Sequence, residues 1–266
     1  MLLPKAVPDI TGSFLTTIDA AAPGLVRGLY LHGSLGFGGE FFPGSDIDFV
    51  AVLAARPDEA DLGALEAAHE EVKAAWPSPL FEGIHLVAAD LAGRPDACPD
   101  LPFIHERKFG RAGRFEISPV TWHELARHAI TVRGPALTGA DVWTDDRALW
   151  EYSHGNLTSY WAKVGEAMVK MPREASTPEM AVWCVLGVSR LHHLLATGTL
   201  TSKSGAGWYA LEAFESRWHP IIREALRARE QPGAVSAYDG DDERRGRDAA
   251  DFTLMAIEAG LALPAR

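Results

Sequence analysis

Between Leu29 and Leu53 the chain reads LYLHGSLGFGGEFFPGSDIDFVAVL: a short apolar run, a Gly-Ser pair, a glycine-rich loop, two aspartates one residue apart, and a second apolar run. The two apolar runs predict β-strands over residues 28–31 and 47–53. Asp46 and Asp48 open the second strand, where side chains two apart project to one face. Carboxylates crowded on one face repel each other and cost stability unless a cation sits between them. Oxygen-only ligands of this kind suit Mg²⁺, which takes one or two carboxylates together with phosphate oxygens. Upstream, Gly33 and Ser34 lead into a loop containing Gly36, Gly38, Gly39 and Gly44. Glycines let backbone N–H groups approach phosphates closely, and a serine hydroxyl donates beside them. A phosphate cradle followed by a magnesium-binding carboxylate pair is the pattern of a nucleoside triphosphate site.

The surrounding pattern sets the fold class. Leu62, Leu65, Ala68, Val72 and Trp76 recur at steps of three and four, marking one face of a helix over 61–76. GIHLVAAD, residues 83–90, reads as a third strand. From Ser118 the texture changes to helix after helix. Ser118-Pro119 opens the first, which Gly134-Pro135 stops. A long helical pattern covers 146–171, and a capping-box arrangement at Ser176-Thr177-Pro178-Glu179 starts another that ends at Gly198. Further helices are predicted over 204–216, 220–230 and 243–261, with a flexible loop at 231–242. The expected fold is an α+β domain with a mixed sheet over 1–117, followed by an all-α bundle over 118–266.

Composition excludes some function classes. The 266 residues include no run of about 18 apolar residues, and the N-terminus lacks the pattern of a signal peptide, so a cytoplasmic protein without a membrane partner is expected. A formal net charge of −11 argues against a nucleic-acid partner and is compatible with a cationic small molecule. Cys98 and Cys184, far apart, suggest neither a disulfide framework nor a zinc site. His192 and His193 are adjacent on a helix and point about 100° apart, so they read as packing residues. Trp150, Tyr152, Tyr160, Trp161 and Trp183 read as core more readily than as a sugar-stacking wall. Oligomeric state is not legible.

Gly-Ser, eleven intervening residues and Asp-Ile-Asp on a strand resemble the polymerase-β-type nucleotidyltransferase superfamily. In that superfamily a third carboxylate from a later strand acts as metal ligand or as base. The resemblance places Glu82 there, just before the third strand; Asp90, eight residues on and about 27 Å away along extended chain, has the same odd-even phase and is the rival. After residue 118, TVRGP (131–135), VSRLHHLLATG (188–198) and LTSKSGAGWYAL (200–211) resemble, in order, the helical domain of the bacterial aminoglycoside adenylyltransferases that modify streptomycin and spectinomycin.

The resemblance implies an Mg²⁺-dependent transfer of AMP from ATP to a hydroxyl of an aminoglycoside antibiotic, a resistance activity; the acceptor is expected between the two domains, because interdomain clefts are where such pockets form. It implies that Asp46, Asp48 and Glu82 are catalytic metal ligands with Glu82 as the base. Gly33, Ser34 and Ser45 would fix the phosphates, and Arg190 and Lys203 would reach them from the helical domain. Where those enzymes carry a pocket tryptophan, two residues after the Phe-Gly pair matched by Phe109-Gly110, this chain has Ala112 in the basic run of Arg107, Lys108, Arg111 and Arg114. Arg229 stands in place of a nucleotide-contacting tyrosine, and the aromatic pair Trp208-Tyr209 is shifted against the family pattern. Another metabolite, a protein or an RNA end as acceptor, or a non-catalytic nucleotide-binding regulator, are the alternative readings.

Overall fold

In the computed structural model, which describes residues 3–171 and 173–265, the chain divides into two compact units, Met1–Asp145 and Asp146–Arg266. The first is a six-stranded mixed sheet of order β5-β4-β3-β2-β1-β6. Its strands are β1 (Val26–Leu31), β2 (Ile47–Leu53), β3 (Phe81–Val87), β4 (Leu101–His105), β5 (Lys108–Gly113) and β6 (Ile130–Arg133). β2 and β3 are parallel, as the crossover through an intervening helix requires, and the other pairs are antiparallel.

That crossover helix, α3 (Glu59–Ala75), is the one predicted over 61–76. It starts one residue after Asp58, whose carboxylate accepts the Asp61 N–H at 2.9 Å while Asp61 reciprocates at 3.2 Å. It buries Leu65, Ala68 and Val72 against one sheet face, beside Val7, Ile10, Phe14 and Ile18 of α1 (Ala6–Ala21) and Phe49 and Phe81 of the strands. Strand alternation turns Val50, Val52, Ile84 and Leu86 to the opposite face, where Trp122 and Leu125 of α5 (Pro119–His128) cover them. Two four-residue helical turns, α2 (Gly33–Gly36) and α4 (Ala88–Leu91), follow β1 and β3.

The unit boundary differs from the expected one at 117/118. α5 ends at His128, before the predicted stop at Gly134-Pro135, and residues 130–133 form β6, which pairs with β1. The segment that looked like the start of the bundle therefore completes the sheet, and the division falls at Asp145/Asp146.

The second unit is helical: α6 (Asp146–Asn156), a π-helical turn over Leu157–Trp161, α7 (Ala162–Lys170), α8 (Pro178–Thr197), α9 (Lys203–Ala213), α10 (His219–Glu230) and α11 (Asp242–Leu261). Thr177 caps α8 by accepting the Met180 N–H at 3.1 Å, and Gly198, at φ 76°, ends it in the left-handed conformation that glycine adopts without a Cβ clash. Among the described residues α8 alone is long and apolar enough to cross a membrane by length and composition. Its Val185, Leu186, Val188 and Leu195 are instead buried in the core of the helical unit. The loop predicted to be flexible is anchored, since Tyr238 is buried and donates to Asp248 at 2.7 Å.

Candidate functional site

Asp46 lies immediately before β2, Asp48 is the second residue of that strand, and Glu82 is the second residue of β3, inside the strand rather than ahead of it. In the parallel pairing Asp48 and Glu82 are register partners. By alternation both project to the face that carries Val50 and Ile84, away from the face packed by α1 and α3. The loop between β1 and β2 is stitched to this strand end: the His32 N–H donates to the Asp48 carbonyl at 3.1 Å. At Gly33, with φ 58°, a Cβ would collide with the Asp48 carboxylate, so only glycine lets loop and carboxylate meet here. The Gly33 N–H points to the Glu124 carboxylate, 3.3 Å away, rather than to open space. Ser34 has its hydroxyl shielded from solvent with no hydrogen-bond partner, while Ser45 accepts the Phe42 N–H at 3.0 Å and pins the loop.

Three residues that the sequence did not single out surround this end of β2. His32 is buried, with Nδ1 3.0 Å from Glu124 of α5 and Nε2 3.6 Å from Glu116. Burial disfavours the charged imidazole, but Glu116 and Glu124 outweigh it and hold His32 well above the usual histidine range. Asp48 is pushed well above the usual carboxylate range, first by burial and then by the charges of Asp46 and Glu116, with His32 opposing. The histidine directly before Gly-Ser was the only local signal of this arrangement; Glu116 and Glu124 come from more than eighty residues away.

A separate contact holds Glu82. One carboxylate oxygen accepts the Glu106 N–H at 2.6 Å, and the other lies 3.1 Å from His105 Nδ1. Glu106 and Arg107 form the two-residue turn between β4 and β5, with φ of 46° and 63°. Such turns favour Asn-Gly because both residues need positive φ; here a bond to Glu82 supports a turn of larger residues. His105 also stacks on Phe115, with ring centroids 4.3 Å apart.

Asp90, the rival to Glu82, is engaged elsewhere: it caps the Val87 N–H at 2.9 Å and is held by both guanidinium nitrogens of Arg56, at the far end of β3. Arg190 and Lys203 belong to one neighbourhood in the helical unit, because Arg190 Nε donates to the Thr201 carbonyl at 3.2 Å, two residues before Lys203 opens α9. The basic run is largely committed. Arg111 pairs with Glu59 and Glu66 at 2.7 and 2.9 Å, and Arg114 donates to the carbonyls of Cys98 and Pro95. His192 bonds the Tyr209 hydroxyl at 2.9 Å and His193 faces the Thr199 carbonyl at 3.0 Å, consistent with packing roles. Trp161 is core and Trp150 and Trp183 pack against it, but Tyr152 and Tyr160 are exposed. Both thiols are free and buried, Cys98 pushed up to about 11 and Cys184 to about 12.

Among the described residues no three His, Cys, Asp or Glu side chains converge closely enough to cage a metal by themselves. The donors still fit Mg²⁺, which keeps several waters and binds through one or two carboxylates plus substrate phosphates. The repulsion that raises Asp48 is what a cation between Asp46 and Asp48 would relieve.

Residues 157–252 match the family described as aminoglycoside adenylyltransferase, C-terminal domain. Spectinomycin adenyltransferase AAD(9) from Enterococcus faecialis, solved with ATP and spectinomycin, is similar over 92% of this chain and 98% of that one, with 15% sequence identity and a TM-score of 0.58. That likeness establishes a shared fold. No curated protein matches the chain significantly. The match to that C-terminal domain thus lies within the helical unit, and the chain as a whole shares the fold of the spectinomycin enzyme.

Proposed function

We propose that the protein is a nucleotidyltransferase that moves AMP from Mg·ATP to a hydroxyl of an aminoglycoside-type small molecule and releases pyrophosphate. The observation that carries this reading is the register pairing of Asp48 with Glu82 on one sheet face, beside the Gly33–Ser34 turn. Asp46 and Asp48 would hold the cation, which supplies charge neutralisation at the phosphates when bound. Ser34 donates its unpartnered hydroxyl to a phosphate oxygen, and Ser45 keeps the loop closed. Glu82 takes the proton of the acceptor hydroxyl as its oxygen attacks the α-phosphorus, and the bond from that phosphorus to the pyrophosphate oxygen breaks in line. The family match of the helical unit supports Arg190 and Lys203 as further triphosphate contacts. An ATP-consuming activity of this kind belongs in the cytoplasm.

The test is incubation of purified protein with Mg·ATP and a panel including spectinomycin and streptomycin, reading pyrophosphate release and the mass of the modified acceptor. Transfer of AMP to at least one aminoglycoside is expected. No transfer to any of them, by protein that binds Mg·ATP, would remove the antibiotic assignment. A different hydroxylated acceptor is the second reading, favoured by Ala112 where the resembled enzymes carry a pocket tryptophan.

A further inference from the structure

His32 joins three parts of the sheet unit that lie far apart in the chain. Its backbone N–H bonds the Asp48 carbonyl of β2, its Nδ1 meets Glu124 of α5 at 3.0 Å, and its Nε2 faces Glu116 at 3.6 Å with no hydrogen bond of its own. The oxygen of Glu124 that takes Nδ1 also accepts the Gly33 N–H, so one carboxylate oxygen fixes both the imidazole and the first residue of the loop. Glu116 sits at φ 53°, a left-handed conformation rarely adopted by non-glycine residues and concentrated at functional sites. His32, Glu116 and Glu124 have no role in the reaction described above.

An ordinary buried ion pair would explain the contacts but not their position. Ser34, the residue whose shielded hydroxyl lacks a partner, follows Gly33 directly, and Asp48 lies against Gly33. A triphosphate at Ser34 would approach two carboxylates, Glu116 and Glu124, whose field opposes it. The imidazole between them offsets that field and, through Glu124, sets the turn. We infer that His32 is a positioning residue for nucleotide binding: bridging Glu124 and Glu116, it holds the Gly33–Ser34 turn open to phosphate. The inference rests on the nucleotidyltransferase reading.

Asparagine places its amide nitrogen where Nδ1 lies and glutamine places its amide nitrogen where Nε2 lies, so the two contacts separate. His32→Ala, His32→Asn and His32→Gln are compared by KM for Mg·ATP, KM for the acceptor, kcat, thermal midpoint, and calorimetric affinity for a non-hydrolysable ATP analogue with Mg²⁺. The alanine variant is expected to weaken nucleotide KM and analogue affinity about tenfold, with the acceptor KM changed less than about twofold. Asparagine, which keeps the Glu124 bond, is expected to recover most of the loss, and glutamine little. Wild-type nucleotide affinity in the alanine variant, equal behaviour of asparagine and glutamine, or parallel loss of both KM values with the thermal midpoint would each overturn the inference. Wild-type protein that binds the analogue but transfers nothing would count against the proposed function, while the calorimetric comparison would still decide the role of His32. Wild-type protein that neither binds nor transfers would overturn both.

Discussion

Asp48 on β2 and Glu82 on β3 are register partners of two parallel strands, yet their carboxylates have different surroundings: Asp48 faces Asp46, Glu116 and His32, whereas Glu82 is tied to His105 and the Glu106 backbone. One carboxylate is left electrostatically unsatisfied and the other is held in place. That division matches a cation ligand beside a base, and it makes the two residues separable by mutation.

Asp48→Asn should lower transfer by more than about a hundredfold, roughly 2.7 kcal/mol of barrier, and also stabilise the metal-free fold. The folded pKa of Asp48 lies above its ordinary value of 3.8. The ionised form therefore costs stability in full above the raised folded value, and the cost fades as pH falls through that value toward 3.8. Thermal melts of metal-free protein across pH should show a higher midpoint for the asparagine variant at neutral pH, with the gap closing in acid. Equal midpoints at all pH values would mean that Asp48 is not under repulsion.

Glu82→Gln should retain Mg·ATP affinity by calorimetry and lose turnover, because the amide keeps the shape but cannot accept a proton. His105→Ala should lower kcat by about tenfold, ~1.4 kcal/mol, since the Glu106 N–H still holds one oxygen. Turnover untouched in Glu82→Gln would move the base elsewhere, with Glu116 the next residue to test.

The parts legible in the sequence are those with local signatures. Asp46 and Asp48 stand at a strand start, α3 follows a three-four apolar spacing, and Gly198 ends a helix. The spacing of Val7, Ile10, Phe14 and Ile18 carries the same signal for α1. The β4–β5 hairpin was hidden because its turn is Glu106-Arg107, without the glycine or asparagine that marks a positive-φ turn. β6 is four residues between helix-like neighbours and is a strand only because β1 offers it an edge. Glu116 and Glu124 meet His32 through the packing of α5 on the sheet, a long-range relation with no periodicity to betray it.

Gly33→Ala should abolish activity while the rest of the sheet unit stays folded. The added methyl would strike the Asp48 carboxylate, and φ 58° is itself strained for alanine. Loss of Mg·ATP binding with a thermal midpoint lowered by only a few degrees is the expected pattern; wild-type binding would place the Asp48 carboxylate away from Gly33 during function.

Acid should destabilise the sheet unit through His69 and His85, whose Nε2 atoms lie 3.1 Å apart among Phe14, Phe49 and Phe81. Burial pushes His85 down to about 4 and His69 well below the usual histidine value of 6.5. Both are neutral when folded and protonate once unfolded below 6.5, so the stability they contribute is present above 6.5 and is lost as pH falls toward 4. For His85 the loss is on the order of 3 kcal/mol. Denaturant titrations should show the pH slope reduced in His85→Gln, which hydrogen-bonds without titrating there; an unchanged slope would assign the acid sensitivity to other groups.

Ala112 is exposed on β5, between Gly110 and Gly113, where the register with β4 shifts and a Cβ at either glycine would meet Phe103. Phe109 packs with His69 and His85, and Arg111 pairs with Glu59 and Glu66 of α3, so these two side chains lie toward the face packed by α1 and α3. A tryptophan there adds a stacking surface worth on the order of 1–3 kcal/mol of apolar burial to an acceptor that reaches it. Ala112→Trp should change acceptor KM by about tenfold or more in either direction and leave Mg·ATP KM within about twofold. Streptomycin should be a poorer substrate than spectinomycin for the wild-type protein, and the variant should narrow that gap. An acceptor KM that ignores the substitution for every substrate in the panel would show that the acceptor is bound away from β5.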